Sequence, residues 1–199
     1  MNKRSKPDHY TLKARKSGYP ARSVYKLEEI QKRWKLIKKN SAVLDVGAAP
    51  GSWTLYVLKN FNNTSVTAVD LKPLEIKVPD SAKLNFYQGD IFSQEAEQFL
   101  SQQGPYNCIL SDAAPSTTGN RLVDTSRSFD LVNRITDLAE KHLSAGGCFI
   151  VKIFQGGDEK IILRRFKNLF RDVKTFKPKA VRSDSMETYL IGSGYAPVR

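Results

Sequence analysis

Lys152 stands in "CFIVKIFQGG", where every other residue from Cys148 to Phe154 is apolar. A charge in such a strand is costly unless it is paired or put to use. The plain alternative is a lysine whose stem lies along apolar surface while its tip reaches out from the strand's end. Partners are nevertheless available. Lys26 falls on the polar side of an amphipathic stretch, Asp112 ends the apolar run "YNCILSDA", and Glu187 just precedes "TYLIGSG". Two lysines and two carboxylates would make a compact, nearly neutral group, able to take a proton from a hydroxyl and hold the attacking oxygen in line. A lysine is a base only without its proton. A neighbouring cation such as Lys26 favours that state, and carboxylates oppose it.

A second group of chemistry-bearing residues surrounds "VLDVGAAPGSWTLYVL", Val43 to Leu58, where a strand pattern runs through Gly47 and Gly51 into a helical one. A phosphate-binding loop would need Gly-Lys-Ser/Thr here, but Ser52 and Trp53 follow Gly51. The G-x-G-x-x-G dinucleotide spacing is absent as well. Asp70 ends the next strand, 19 residues beyond Gly51, where an acid can accept hydrogen bonds from both hydroxyls of a ribose. These features suit an adenosine cofactor without phosphates, of which S-adenosylmethionine is the common example. Asp90 and Asp112 end further strands, with Asp45 beneath the glycine turn. Singly, each carboxylate reads as a cap or turn former; together they make a rim suited to a sulfonium and an ammonium.

The methyl acceptor follows from chemical need. Exocyclic base nitrogens usually go with an Asn/Asp-Pro-Pro-aromatic stretch, and that place reads "SDAAPS". Attack through a pyrimidine carbon needs a cysteine nucleophile near a strand end, whereas Cys108 lies inside its strand. A hydroxyl acceptor needs a general base, and Lys152 can be one.

Strands are expected at 42–46, 65–71, 84–90, 106–113, 148–154, 173–178 and 188–194. Several are almost continuous apolar runs, as in strands covered on both faces. Helical patterns lie between them: from Val24 to Trp34 after Ser23 as N-cap, "SWTLYVLKN", "SQEAEQFLSQQ", "SRSFDLVNRITDLAEKHL" with a glycine stop at "SAGG", and "EKIILRRFKNLF" with Ile162, Phe166, Leu169 and Phe170 on one side. Such alternation predicts an α/β fold, a mainly parallel sheet with helices on both faces, in one domain over residues 1–199. Ligands should bind beyond the carboxyl ends of the strands, where strand order reverses.

Of the 199 residues 40% are hydrophobic, yet no apolar run approaches the roughly 20 needed to cross a bilayer, so a soluble, cytoplasmic protein with no membrane partner is expected. "MNKRSKPDHY" has no apolar segment of the secretory kind. Cys108 and Cys148 read as reduced packing residues, and no metal site is expected. The net charge of +12 is segregated. Residues 1–40 hold 13 Lys/Arg against 3 Asp/Glu and residues 160–182 hold 9 against 1, whereas residues 41–159 hold 9 against 14. Two basic segments framing an acidic centre argue for a polyanion lying across surfaces formed by both.

With these residues in view, the sequence resembles the FtsJ-like family of RNA 2′-O-ribose methyltransferases, above all its bacterial large-subunit ribosomal RNA members. The resemblance rests on "ARSVYKLEEIQ", "VLDVGAAPGSW", "AVDL", "GD", "LSDAAP", "GGCFIVKIFQG" and "METYLIG", in family order and spacing from about residue 8 to the end. It implies a Rossmann-like methyltransferase fold, a seven-stranded sheet with the last strand antiparallel, and S-adenosylmethionine as methyl donor. It places a Lys-Asp-Lys-Glu tetrad on Lys26, Asp112, Lys152 and Glu187, with Lys152 as proton acceptor. Cofactor contacts fall on Gly51, Trp53, Asp70, Asp90 and Asp112, and the glycine turn adds Gly47. Trp53 by itself reads as a core residue. The implied reaction is methylation of a uridine 2′-hydroxyl in 23S ribosomal RNA, in the 50S subunit, by a monomer whose basic residues 1–40 help to hold the RNA. A tRNA substrate and a non-catalytic RNA-binding or ribosome-assembly module are the alternatives. One departure stands out: where relatives often carry an arginine before the first helix, this chain has Pro20 and Ala21.

Overall fold

The computed structural model describes residues 8–116, 118–156, 159–182 and 185–196. The basic stretch at residues 1–7 therefore lies outside the described residues. In chain order the elements are α1 (His9–Lys16), α2 (Val24–Trp34), β1 (Ala42–Val46), α3 (Ser52–Asn60), β2 (Ser65–Asp70), β3 (Leu84–Gln88), α4 (Gln94–Gln103), β4 (Tyr106–Ser111), α5 (Arg121–His142), β5 (Leu143–Phe154), α6 (Glu159–Leu169), β6 (Phe170–Phe176) and β7 (Glu187–Tyr195).

The seven strands form one sheet in the order β3-β2-β1-β4-β5-β7-β6. β1 to β5 run parallel, and β7 is antiparallel to both of its neighbours. Strand order reverses between β1 and β4, so the crevice expected for a ligand opens beyond Val46 and Ser111.

Period-two alternation divides each apolar run between the two faces. On one face Val43, Cys108, Leu110, Cys148, Ile150, Tyr189 and Ile191 pack with Leu27 and Ile30 of α2 and with Trp53 and Val57 of α3. On the other face Leu44, Ile109, Phe149, Val151 and Ile153 meet Val132, Ile135 and Leu138 of α5 and Ile162 and Phe166 of α6. Both cysteines are buried and free, paired in register across β4 and β5.

Local details differ from expectation at several places. Helix α1 was not foreseen; it is short, and Asp8 caps it by accepting from Thr11 N at 2.9 Å. Ser23 is itself helical and makes no side-chain cap, its carbonyl accepting from the Trp53 indole instead. α5 starts at Arg121 because the Asn120 side chain accepts from Leu122 N and Val123 N. It ends without a glycine stop: Leu143 is already extended, and Gly146, at φ +78°, lies where β5 slips from pairing Leu143 with Tyr106 to pairing Cys148 with Cys108. Phe170, expected on the helix face, is the buried first residue of β6.

Candidate active site at the β1/β4 crevice

Strand parity decides which polar residues can meet. Cys148 and Ile150 face α2, so Lys152 does too; Cys108 and Leu110 put Asp112 on the same side, and Tyr189 and Ile191 do the same for Glu187. Lys152 lies beside Tyr189 in the β5–β7 register. Lys26 comes from α2, whose buried Leu27 and Ile30 set the helix on this face.

The four residues meet in a chain of contacts. Lys152 Nζ lies 3.0 Å from Asp112 Oδ1 and donates to the Asp112 carbonyl at 2.5 Å. Lys26 Nζ lies 2.7 Å from Glu187 Oε2 and 3.5 Å from Asp112 Oδ1. Lys26 and Lys152 are only 8% and 6% exposed, so these pairs are shielded from water. Burial alone would raise the Asp112 carboxyl. The ammoniums of Lys152 and Lys26 and a hydrogen bond from Tyr189 overcome that and hold it below the ordinary carboxylate range.

Sequence reasoning missed Tyr189, whose hydroxyl donates to Asp112 Oδ1 at 2.5 Å. Burial, and then the Asp112 charge, raise this phenol well above its usual value, so it stays a donor. Its ring lies 6.0 Å from that of Trp53 and 5.8 Å from Lys26 Nζ. The signal was available, because Tyr189 sits two residues after Glu187 and so shares its face.

The glycine turn is built by close approach. Gly47 has φ +74°, and a Cβ there would sit 2.4 Å from Ala113 Cβ. Gly51 has φ +109°, and a Cβ there would meet Ile76 at 2.6 Å. Asp70 Oδ2 accepts from Ala49 N at 2.9 Å and its Oδ1 from Lys72 N at 2.8 Å, while Asp90 Oδ1 accepts from Phe92 N at 3.0 Å. Both acids thus form turns, yet a carboxylate has about four lone-pair sites, which leaves acceptor capacity on each. Exposed Leu71 and Phe92 follow these acids closely, a pairing of apolar and acidic groups not anticipated from the sequence.

Asp45 is fully buried beneath the turn and accepts from Thr54 Oγ1 at 2.6 Å. Burial pushes its carboxyl up to about 7 against the Thr54 hydrogen bond, with the Asp112 and Asp70 charges adding to the rise. Trp53 is 2% exposed and its indole N–H donates to Ser23 O at 2.9 Å. It is a strut between α3 and the start of α2.

Three kinds of comparison bear on this arrangement. The profile described as FtsJ-like methyltransferase matches residues 19–195, which include every residue of the site. The chain belongs to the FtsJ-like methyltransferase family. Among its relatives is a protein from Treponema denticola, named ribosomal RNA large subunit methyltransferase E, 53% identical over 96% of each chain. One from Oleidesulfovibrio alaskensis with the same name is 46% identical over 94% of this chain and 91% of its own. A crystal structure from Plasmodium falciparum, described as of a ribosomal RNA methyltransferase, superposes with a TM-score of 0.77 at 30% identity, covering 90% of this chain and all of the other. The seven-stranded sheet with its antiparallel last strand is the Rossmann-like methyltransferase architecture expected from the FtsJ-like resemblance.

Proposed function

We propose that this chain transfers a methyl group from S-adenosylmethionine to the 2′-hydroxyl of a uridine ribose in 23S ribosomal RNA of the 50S subunit, with Lys152 accepting the proton. Two lysines compete for that role, and their contacts separate them. Lys26 is held between two carboxylates, Glu187 and Asp112, which take up its N–H groups. Lys152 faces one carboxylate oxygen and one carbonyl. A neutral amine has two N–H groups, enough to keep both of those contacts, and a lone pair left for the substrate's proton. That difference is the observation on which the reading rests.

The residues fit the donor. Asp70 and Asp90 offer free acceptor sites at the ends of β2 and β3 for ribose hydroxyls, Leu71 and Phe92 offer apolar surface for a flat heterocycle, and the turn has no lysine to favour a phosphate. When bound, S-adenosylmethionine supplies an electrophilic methyl carbon on a cationic sulfur. Asp112 orients Lys152, Glu187 and Asp112 hold Lys26, and Tyr189 fixes Asp112. Trp53 acts in this reading through Ser23, by fixing the helix that carries Lys26.

The two basic segments also converge. Arg22 Nη2 donates to Ala180 O at 2.5 Å, and Lys179 N donates to Glu29 at 2.8 Å, which brings the 160–182 segment against α2. Basic residues of both segments are thereby brought together, which suits an RNA substrate. The large-subunit rRNA target follows the names of the relatives and the family resemblance.

The test is transfer of labelled methyl from S-adenosylmethionine to 50S subunits from cells lacking the protein, with the product mapped by resistance of the ribose linkage to alkali. Lys152→Ala should lose about 10²–10⁴-fold in rate while RNA binding persists. Retained transfer by that variant, or a label found on a base, would sink the reading; label on tRNA but not on 50S subunits would move the substrate.

A further inference from the structure

At the opposite end of the sheet, where β1, β4 and β5 begin, a cleft of about 490 Å³ is lined by Trp34, Lys35, Lys38, Lys39 and the Gly146–Gly147 turn, and reaches Cys108 and Cys148. Among the described residues no acidic one lines it. Lys35, Lys38 and Lys39 are exposed, and among the described residues none of their ammoniums has an ion-pair partner. On a surface laid out only for solubility, cations are interspersed with acids; here three converge on one concavity.

The loop that carries them is held in place. Lys35 is a left-handed cap at φ 52°, and the Gln31 side chain clamps both sides of Ile37, accepting from its N–H at 2.9 Å and donating to its carbonyl at 2.8 Å. Asn40, at φ 56°, donates from its N–H to Asn62 O at 3.1 Å. Arg33 lies 5.0 Å above the Trp34 ring, which adds a cation at the rim. The backbone that carries the lysines is thus held before anything binds.

These cations do not act on the tetrad through space. Cys148 is four residues from Lys152 along β5, about 13 Å, and a screened surface charge loses most of its effect beyond roughly 8–10 Å. Phosphates of an extended or folded RNA cover that distance readily.

We propose that this rear cleft is a second RNA-binding site, which takes the phosphate backbone of another segment of the RNA whose ribose enters the catalytic crevice. The inference rests on the RNA-methyltransferase reading above. It assigns to Lys35, Lys38 and Lys39 a docking role separate from methyl transfer.

The experiment compares the triple variant K35Q/K38Q/K39Q with K77Q/K83Q/K141Q, which removes the same charge at exposed positions outside the cleft and outside both basic segments. Binding to 23S ribosomal RNA is measured against salt concentration, with thermal melting and S-adenosylmethionine affinity as checks on folding and on the crevice. The rear triple should flatten the slope of log K against log salt by about 3, roughly one unit for each phosphate that no longer meets a lysine. It should raise KM for RNA and leave kcat at saturating RNA unchanged. The control triple should shift the slope by less than about 1, and K35R/K38R/K39R should restore wild-type behaviour. Equal slopes for the rear and control triples overturn the proposal, as does a rear triple that loses kcat rather than KM. If wild-type protein methylates no RNA, the functional reading has failed; the salt slopes still report on the cleft.

Discussion

The buried carboxyl of Asp45 makes a quantitative prediction about pH. Its folded value of about 7 lies well above the ordinary 3.8, so the folded state binds a proton that the unfolded chain has released over the interval between them. The sign follows: ionised Asp45 costs stability above pH 7, and the cost is relieved as pH falls towards 4. Three units correspond to about 4 kcal/mol in full, of which roughly 3 kcal/mol falls between pH 8 and pH 5. Asp45→Asn removes the ionisation but keeps an oxygen to accept from Thr54, at a cost of about 1–3 kcal/mol for the new amide donors. Urea melts of the two proteins at pH 5, 6, 7 and 8 should therefore cross. The variant should be weaker at pH 5 and gain on the wild type by about 3 kcal/mol at pH 8. Curves that stay parallel within about 0.5 kcal/mol would show that Asp45 stays ionised throughout and would refute the reasoning.

Two further substitutions probe the site. Tyr189→Phe keeps the buried ring but removes the hydroxyl that donates to Asp112, a charge-assisted bond worth about 1.5–3 kcal/mol; kcat should fall about tenfold or more at unchanged S-adenosylmethionine affinity, and unchanged kcat would show that Tyr189 has no part in positioning Asp112. Gly47→Ala drives a Cβ into Ala113 at a left-handed φ, and should lower the melting temperature by several degrees and abolish donor binding by calorimetry. A Gly47→Ala protein that melts and binds like wild type would mean that the turn tolerates a wider spacing than its packing indicates.

How far the site could be read in advance depends on the range of the forces involved. The runs at 42–46, 106–113 and 148–154 mark their strands because alternation along an extended backbone is covalent geometry, and the same parity puts Lys152 on one face with Asp112. Strand ends drifted by a few residues, as at β5 and β6, since a bulge or the last turn of a helix is decided by neighbours. Helix α1 was missed because its single fully buried residue, Ala14, leaves almost no apolar stripe to detect.

What the sequence determined by itself was a parallel α/β chain with a glycine turn, strand-end acids and a lysine in an apolar strand, all of them local patterns. Tertiary structure alone decided that Lys26 pairs with Glu187 more closely than with Asp112, that Tyr189 clamps Asp112, that Ile76 closes over Gly51, and that three lysines converge behind the sheet. Those pairings join residues far apart in the chain. Their distances follow from strand order and helix packing, which are set by burying both faces of the whole sheet, a requirement that no local segment carries.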